Sequence, residues 1–269
     1  MSLNLVNLKL SALYEAENHQ KKAKNYFECH DFRKDDRLTL INWMLACVDR
    51  YKASKEVFYL AVSLFDLFMS CKKLPRIPLK KLQCIATSCL SVSFDMVYKG
   101  KTSDAQELMN LVSSVDPESS KEKLKKIRSL IYEHFNIRKL IITPYTFFNY
   151  FRVILKLKAT HDLYCITNYI LELSQYDDII CVKSQYKPSL IATAALHTGI
   201  IALKLHHEWL SDLSILTPYT GEEKELISLH KRMLELLKAA SKETKYSSAQ
   251  ARYYGEENNC ISQIDYSNV

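Results

Sequence analysis

Glycine occupies only four of the 269 positions, Gly100, Gly199, Gly221 and Gly255, and no two of them lie within twenty residues of each other. A backbone that cradles phosphate needs several glycines close together, because only glycine enters φ > 0 without strain and lets the main chain approach a ligand. A P-loop, a G-x-G-x-x-G turn and a kinase glycine-rich loop are therefore absent. Multi-stranded β architectures depend on tight turns and are disfavoured too. An all-α chain is what this composition permits.

Apolar residues recur at helical spacing almost from end to end. A first segment covers about residues 8–27. A second follows the natural N-cap pair Asp35-Asp36 and runs over 37–50, with Leu40, Ile41, Met44 and Val48 on one face. Ser54 opens a third with a wide apolar stripe ending near Phe68. After a loop holding Pro75 and Pro78, helix resumes over 79–97. Ser103-x-x-Gln106 and Ser119-x-x-Glu122 match capping boxes for helices to about residue 113 and over 120–134. Thr143-Pro144 supplies a cap and an N1 proline for a helix to 157. Further helices are expected over 162–177, 188–205, briefly around 209–213, and over 222–240 behind Thr220-x-x-Glu223. From Ser241 the chain turns polar and reads as a loosely packed tail.

The two halves repeat one order: moderate helix, long helix, very apolar helix, short helix, long charged helix. Such repetition predicts two stacked all-α domains of about 100 residues each behind a leading helix. The expected boundaries are 1–34 for the N-terminal helix and lead-in, 35–138 and 143–240 for the two domains, and 241–269 for the tail.

The balance of 37 Lys+Arg against 30 Asp+Glu gives a net charge of +7. Lysines cluster at Lys21-Lys22-Lys24, Lys72-Lys73 and Lys80-Lys81, and over 121–128 positive charge runs almost all the way round a helix. Such a helix offers a phosphate-binding face. No RRM, zinc-finger or helix-turn-helix signature accompanies it, so nucleic acid is not the expected partner. The apolar stretch 190–205 is interrupted by His197 and Lys204 and reads as a buried helix, not a membrane span. Met1-Ser2-Leu3-Asn4 lacks the basic-then-apolar pattern of a signal peptide, so none is expected. The eight cysteines form no C-x-x-C pair, which suits reduced thiols in the nucleus or cytoplasm.

Enzyme chemistry finds little footing. His206-His207-Glu208 is a dense cluster, but neighbours on a helix point about 100° apart and cannot chelate together. Asp177-Asp178 reads as a solvated helix end. Cys29-His30 reads as chain neighbours that do not face each other, not as a nucleophile with its base. No catalytic residue, metal, cofactor or small-molecule substrate is expected.

Arg37-Leu38-Thr39-Leu40-Ile41-Asn42-Trp43-Met44, with Tyr51 beyond, resembles the first helix of a cyclin box, whose pattern is M-R-x-I-L-x-D-W-L. The stretch from Glu56 to Ser70, EVFYLAVSLFDLFMS, is similar to the cyclin pattern E-T-L-y-L-A-V-N-y-x-D-R-F-L-S. Leu82-Gln83 looks like the start of the third cyclin helix, and Phe135-Asn136-Ile137 like the L-x-F element closing the fifth. In the second half, Pro188 to Leu196 resembles the P-S-x-I-A-A-A-A-x segment, and Trp209, Tyr219-Thr220 and Lys245-Tyr246 are similar to the C-terminal half of A- and B-type cyclins. The resemblance spans roughly residues 8–250.

It implies two five-helix cyclin boxes behind a flanking helix, and a regulatory subunit that is not itself an enzyme. A cyclin of this kind binds a cyclin-dependent Ser/Thr kinase through the third and fifth helices of its first box. It presses the kinase αC helix inward so that the kinase's own Glu–Lys pair orders the phosphates. The implied kinase-binding residues are Phe94, Asp95 and Tyr98 on the third helix, with Arg128, Ile131 and Ile137 on and after the fifth. The family's Lys/Glu pair falls on Asp95 and Arg128, with the charges exchanged. Three readings stay open: the pair bridges the helices and meets a kinase with altered contacts, the kinase face is lost in a scaffold or transcription-related adaptor, or the alignment is off by a turn. The family's R-x-L docking patch corresponds to Asp36, Thr39, Leu40, Trp43, Ala46 and Gln83. Asp36 and Thr39 stand where apolar residues belong and Ala46 where a Glu belongs, so R-x-L peptides should bind weakly. Leu40 and Trp43 also suit plain core positions.

Overall fold

The computed structural model describes residues 3–135, 141–184, 186–205 and 216–267. Its helices are α1 (Leu3–Glu17), α2 (Lys34–Arg50), α3 (Lys55–Met69), α4 (Leu82–Tyr98), α5 (Asp104–Val115), α6 (Lys121–His134), α7 (Pro144–Ile154), α8 (Asp162–Tyr176), α9 (Pro188–Ala202), α10 (Lys224–Ala240) and α11 (Ser247–Arg252). No strand occurs among the described residues. Ser54 caps α3 and Ser120 caps α6 through bonds from Glu56 N and Lys123 N, while Thr143 and Thr146 close a capping box ahead of Pro144. The short helix expected around 209–213 lies outside the described residues.

Several starts and ends differ from the sequence reading. Asp36 is not an N-cap: it lies in the first turn of α2, and its carboxylate reaches back to accept the Arg33 N–H at 2.7 Å. Ser103 makes no side-chain cap bond, and the Thr102 hydroxyl accepts the Asp104 N–H at 3.2 Å instead. The leading helix stops at Glu17, well short of Phe27. The lead-in is held by side chains: Ser70 Oγ accepts the Lys24 N–H at 2.8 Å, and Tyr26 donates to Asp66 at 2.6 Å.

The glycine shortage has a counterpart at the helix ends. Lys52, Lys99, Lys156 and Lys204 all take left-handed backbone, with φ of 48°, 54°, 54° and 53°. In each case the following N–H bonds back five residues: Ala53 to Val48, Gly100 to Asp95, Leu157 to Arg152 and Leu205 to Ile200. These are glycine-type helix stops built on lysine, whose charge suits the negative end of the helix.

Two compact units result, one of Lys21–Ile141 with Cys181–Gln185, the other of Met1–Gln20, Ile142–Ile180 and Tyr186–Val269. In the first, α4 is the central helix, packed on α2, α3, α5 and α6. Ser88 and Ser93 are buried on it and donate to carbonyls of their own helix, Cys84 O and Cys89 O, both at 2.9 Å, so small polar residues permit close packing without unpaired hydroxyls. Beneath α4, Arg37 (0% exposed) forks onto Asp66 with Nε–Oδ1 2.9 Å and Nη2–Oδ2 2.6 Å. Burial and the Asp66 carboxylate push the Tyr26 phenol up, so it stays a neutral donor to that carboxylate.

In the second unit α8 and α9 form the centre, flanked by α7 and α10. Gly199 permits their close approach, since a Cβ there would lie 3.0 Å from Thr167 Oγ1 and 3.1 Å from Ile166 Cγ2. The leading helix belongs to this unit. Its buried Glu17 accepts Ser189 N at 3.0 Å and Ser189 Oγ at 2.6 Å, capping the N-terminus of α9 across 172 residues of sequence. The tail is not loose. Tyr246, Tyr253, Ile261 and Tyr266 are buried, with Tyr253 and Tyr246 packed on Tyr169 and Tyr176 at ring separations of 5.1 and 5.4 Å. Its polar composition conceals widely spaced aromatic anchors, each burying a large ring.

Candidate functional site

The last turn of α4 and the middle of α6 carry the charged pair singled out from sequence. Arg128 Nη2 bonds to Asp95 Oδ2, so the two helices are bridged, with the side chains 28% and 21% exposed. Arg128 Nη1 also donates to Ser91 Oγ at 3.0 Å, and the Ser91 hydroxyl lies 3.2 Å from Met109 Sδ on α5. Tyr132, one turn after Arg128, donates to the same Asp95 oxygen at 3.3 Å, with the guanidinium 5.8 Å from its ring centre. Burial and the Asp95 carboxylate push the Tyr132 phenol up. The face is thus a fixed Asp–Arg–Tyr cluster at the surface, held from below by Ser91.

Tyr98 flanks it. Its hydroxyl accepts the Ser54 N–H at 2.7 Å and its ring stacks on Phe94, which locks the end of α4 to the start of α3. Phe94 and Ile131 are fully buried, so the reading of both as partner contacts is corrected: they are core residues beneath the face. Ile137 lies outside the described residues. Tyr132 was missed in the sequence, although its i+4 spacing from Arg128 placed it on the same helical surface.

The second candidate patch is only partly assembled. Trp43 and Gln83 line a groove of about 380 Å3 with Ala46 and Arg50 of α2 and the exposed Leu111 and Val115 of α5. Leu40 is buried core, Thr39 turns its hydroxyl to Asp35 O at 3.0 Å, and Asp36 is occupied at the helix start. The groove is therefore built by Trp43, Gln83 and α5, and the i, i+4 pair Leu111/Val115 was the signal available for its far wall.

Other motifs resolve into structure. His30 is buried, its Nε2 bonded to Met69 O at 2.9 Å and its Nδ1 accepting the Ile77 N–H at 3.3 Å, which leaves no free nitrogen to activate Cys29. Asp177 is not solvated: it is buried, pairs with Arg232 at 2.6 Å and accepts the Ile180 N–H at 2.9 Å. His206-His207-Glu208 lies outside the described residues. Among the described residues no His, Cys, Asp or Glu group could hold a metal, and no helix is long and apolar enough to cross a membrane.

Comparison with known proteins gives this helical architecture a family. The model described as "Cyclin, N-terminal domain" matches residues 9–138 and that described as "Cyclin, C-terminal domain" matches 142–267. The chain belongs to the cyclin family. It is 26% identical over 193 residues to Cyclin-B2-1 of Oryza sativa subsp. japonica, covering 72% of this chain and 43% of that protein. It is 29% identical over 230 residues to Cyclin-A1 of Homo sapiens, covering 83% and 46%. The chain thus spans less than half the length of these relatives. Among solved structures, a viral cyclin from herpesvirus saimiri shares the fold with a TM-score of 0.65 at 20% identity, over 91% of this chain and 99% of that one. A chain of the yeast RNA Pol II CTD kinase CTDK-1 complex follows with a TM-score of 0.58 at 15% identity, over 87% and 71%.

Proposed function

We propose that this chain is a regulatory subunit that binds and activates a cyclin-dependent Ser/Thr protein kinase in cell-cycle control, in the nucleus or cytoplasm. The observation that supports this reading is the Asp95–Arg128–Tyr132 cluster on α4 and α6, at the place where the family's kinase contact falls. Because Arg128 and Asp95 satisfy each other, the surface they offer a partner is a rigid dipole and not two free charges. A matching kinase helix would set an acceptor against the remaining Arg128 N–H groups and a donor against Asp95. Apolar contact around the cluster would supply most of the binding free energy and the pair its selectivity.

Co-purification tests the proposal. Wild type and the double reversal Asp95→Lys/Arg128→Glu are compared for capture of cyclin-dependent kinase catalytic subunits. Binding is expected to fall at least about tenfold in the reversal, roughly 1.4 kcal/mol. Unchanged binding would show that the pair is internal only.

The Trp43 groove differs in charge from an R-x-L site. Ala46 offers no carboxylate to a peptide arginine, and Arg50 adds a like charge. Losing one buried leucine contact would cost about 1.5–3 kcal/mol as well. Fluorescence polarisation with an R-x-L peptide is expected to give no micromolar binding; a micromolar Kd would refute this.

A further inference from the structure

A cavity of about 770 Å3 opens in the first unit where the lead-in, the end of α3 and the last turn of α6 meet. Lys21, Lys22, Lys24, Lys72, Lys73 and His134 line it, and Glu133 is the acid beside them. The positions are built, not merely crowded. Ser70, itself in the lining, clips the Lys24 backbone to the end of α3 with its 2.8 Å bond, and Tyr26 is anchored into the buried Arg37–Asp66 pair. Lys72 and Lys73 follow α3 directly. Cations from separate segments held round one concavity repel each other, and a bound anion relieves that repulsion.

The lining narrows the kind of anion. Among the described residues its cations are lysines, with no arginine. Lysine is a compact point charge with three donors, and it binds phosphate without the bidentate geometry that the arginine fork imposes. A phosphoryl group concentrates close to two negative charges and three acceptors on one side chain. His134 Nδ1 is engaged with Leu130 O at 2.9 Å, so Nε2 is the ring nitrogen that remains for a ligand in the cavity. Leu67 and Phe135 add apolar surface to the same cavity. A duplex backbone has no use for an apolar recess, but a peptide side chain next to the anion does.

We propose that this cavity docks a phosphorylated Ser or Thr segment of a partner protein, with the phosphoryl group among the lysines and a neighbouring apolar side chain on Leu67 and Phe135. The site is separate from the α4/α6 face, and its test uses the full chain alone, so its outcome does not depend on kinase binding.

The probe is a fluorescein-labelled decapeptide with one phosphothreonine flanked by leucine and aspartate, compared by anisotropy with its unphosphorylated twin and with a labelled oligothymidylate. The phosphopeptide is expected to bind at least about tenfold more tightly than its twin and to weaken severalfold from about 50 to 200 mM salt. Lys72→Glu/Lys73→Glu, at two exposed positions, should weaken it at least about tenfold, and Lys21→Ala/Lys24→Ala should weaken it less. Thermal melting of each variant confirms folding. The proposal is overturned if the twin binds equally well, if neither variant changes affinity, or if no binding appears up to about 1 mM peptide. Oligothymidylate binding as tightly with the same lysine dependence would overturn it in favour of nucleic acid.

Discussion

Two arginine–aspartate pairs of the first unit, Arg37–Asp66 and Arg128–Asp95, differ in almost everything but composition. Arg37–Asp66 has side chains 1% and 4% exposed and shares its carboxylate with Tyr26. Arg128–Asp95 is 28% and 21% exposed and shares its carboxylate with Tyr132, whose ring is at the surface. In the interior every donor and acceptor is turned inward, so that pair can only hold helices together. At the surface the same chemistry is fixed in place while part of each group still faces solvent, which is what a recognition element requires. Burial, not residue type, separates a purely architectural pair from one that a partner could reach.

The largest expected effect breaks the interior pair. Asp66→Ala takes the carboxylate away from a buried guanidinium and should cost about 3–5 kcal/mol, read as a lowered urea midpoint. Replacing both residues with apolar ones, Arg37→Met/Asp66→Leu, should recover much of that loss; equal damage from the double variant would show that the charge itself is needed.

Two half-buried histidines of the second unit extend the comparison to groups that titrate. His197 and His230 lie on α9 and α10 with ring centres 4.9 Å apart, and His230 Nδ1 is 3.0 Å from Thr198 Oγ1. Burial, His197 and Lys231 push the His230 pKa down to about 4, and burial lowers that of His197. Above the unfolded value of about 6.5 both states are neutral and nothing is lost. As pH falls from there towards about 4, the unfolded chain takes up protons that the folded chain refuses, so stability drops. Allowing for solvent screening of these half-buried rings, the loss is about 1–2 kcal/mol. Melting at pH 7.5 and about 5 checks this, and His230→Gln should flatten the difference.

The smallest effect concerns the helix stops. Lys52→Gly relieves a left-handed lysine at an exposed position and should stabilise by about 0.5–1 kcal/mol. A destabilised variant would mean that lysine charge at the helix end outweighs backbone strain.

Much of this arrangement was legible in the chain. Ser54 and Thr143-Pro144 marked helix starts because a cap depends on residues within one turn, and the family alignment brought Asp95 and Arg128 together. Residues whose role depends on distant partners were not legible. Glu17 caps a helix 172 residues away, and the tail tyrosines find Tyr169 and Tyr176 only in the folded unit. Asp177 looked solvated because its partner Arg232 lies 55 residues on. Phe94 and Ile131 were placed on the interface by the family resemblance, which aligns positions along a helix but does not say which of them the fold covers. The scarcity of glycine excluded phosphate loops, but it gave no hint that lysine would take over glycine's place at four helix ends.

The most direct test is activation. The full chain is mixed with cyclin-dependent kinase catalytic subunits and phosphate transfer to a protein substrate is measured, for wild type and for Asp95→Lys/Arg128→Glu. Wild type should raise the rate of at least one catalytic subunit, and the reversal should lose at least about tenfold of that gain while melting like wild type. A wild-type chain that raises the rate of none of them, or a folded reversal that activates as well as wild type, would contradict the account.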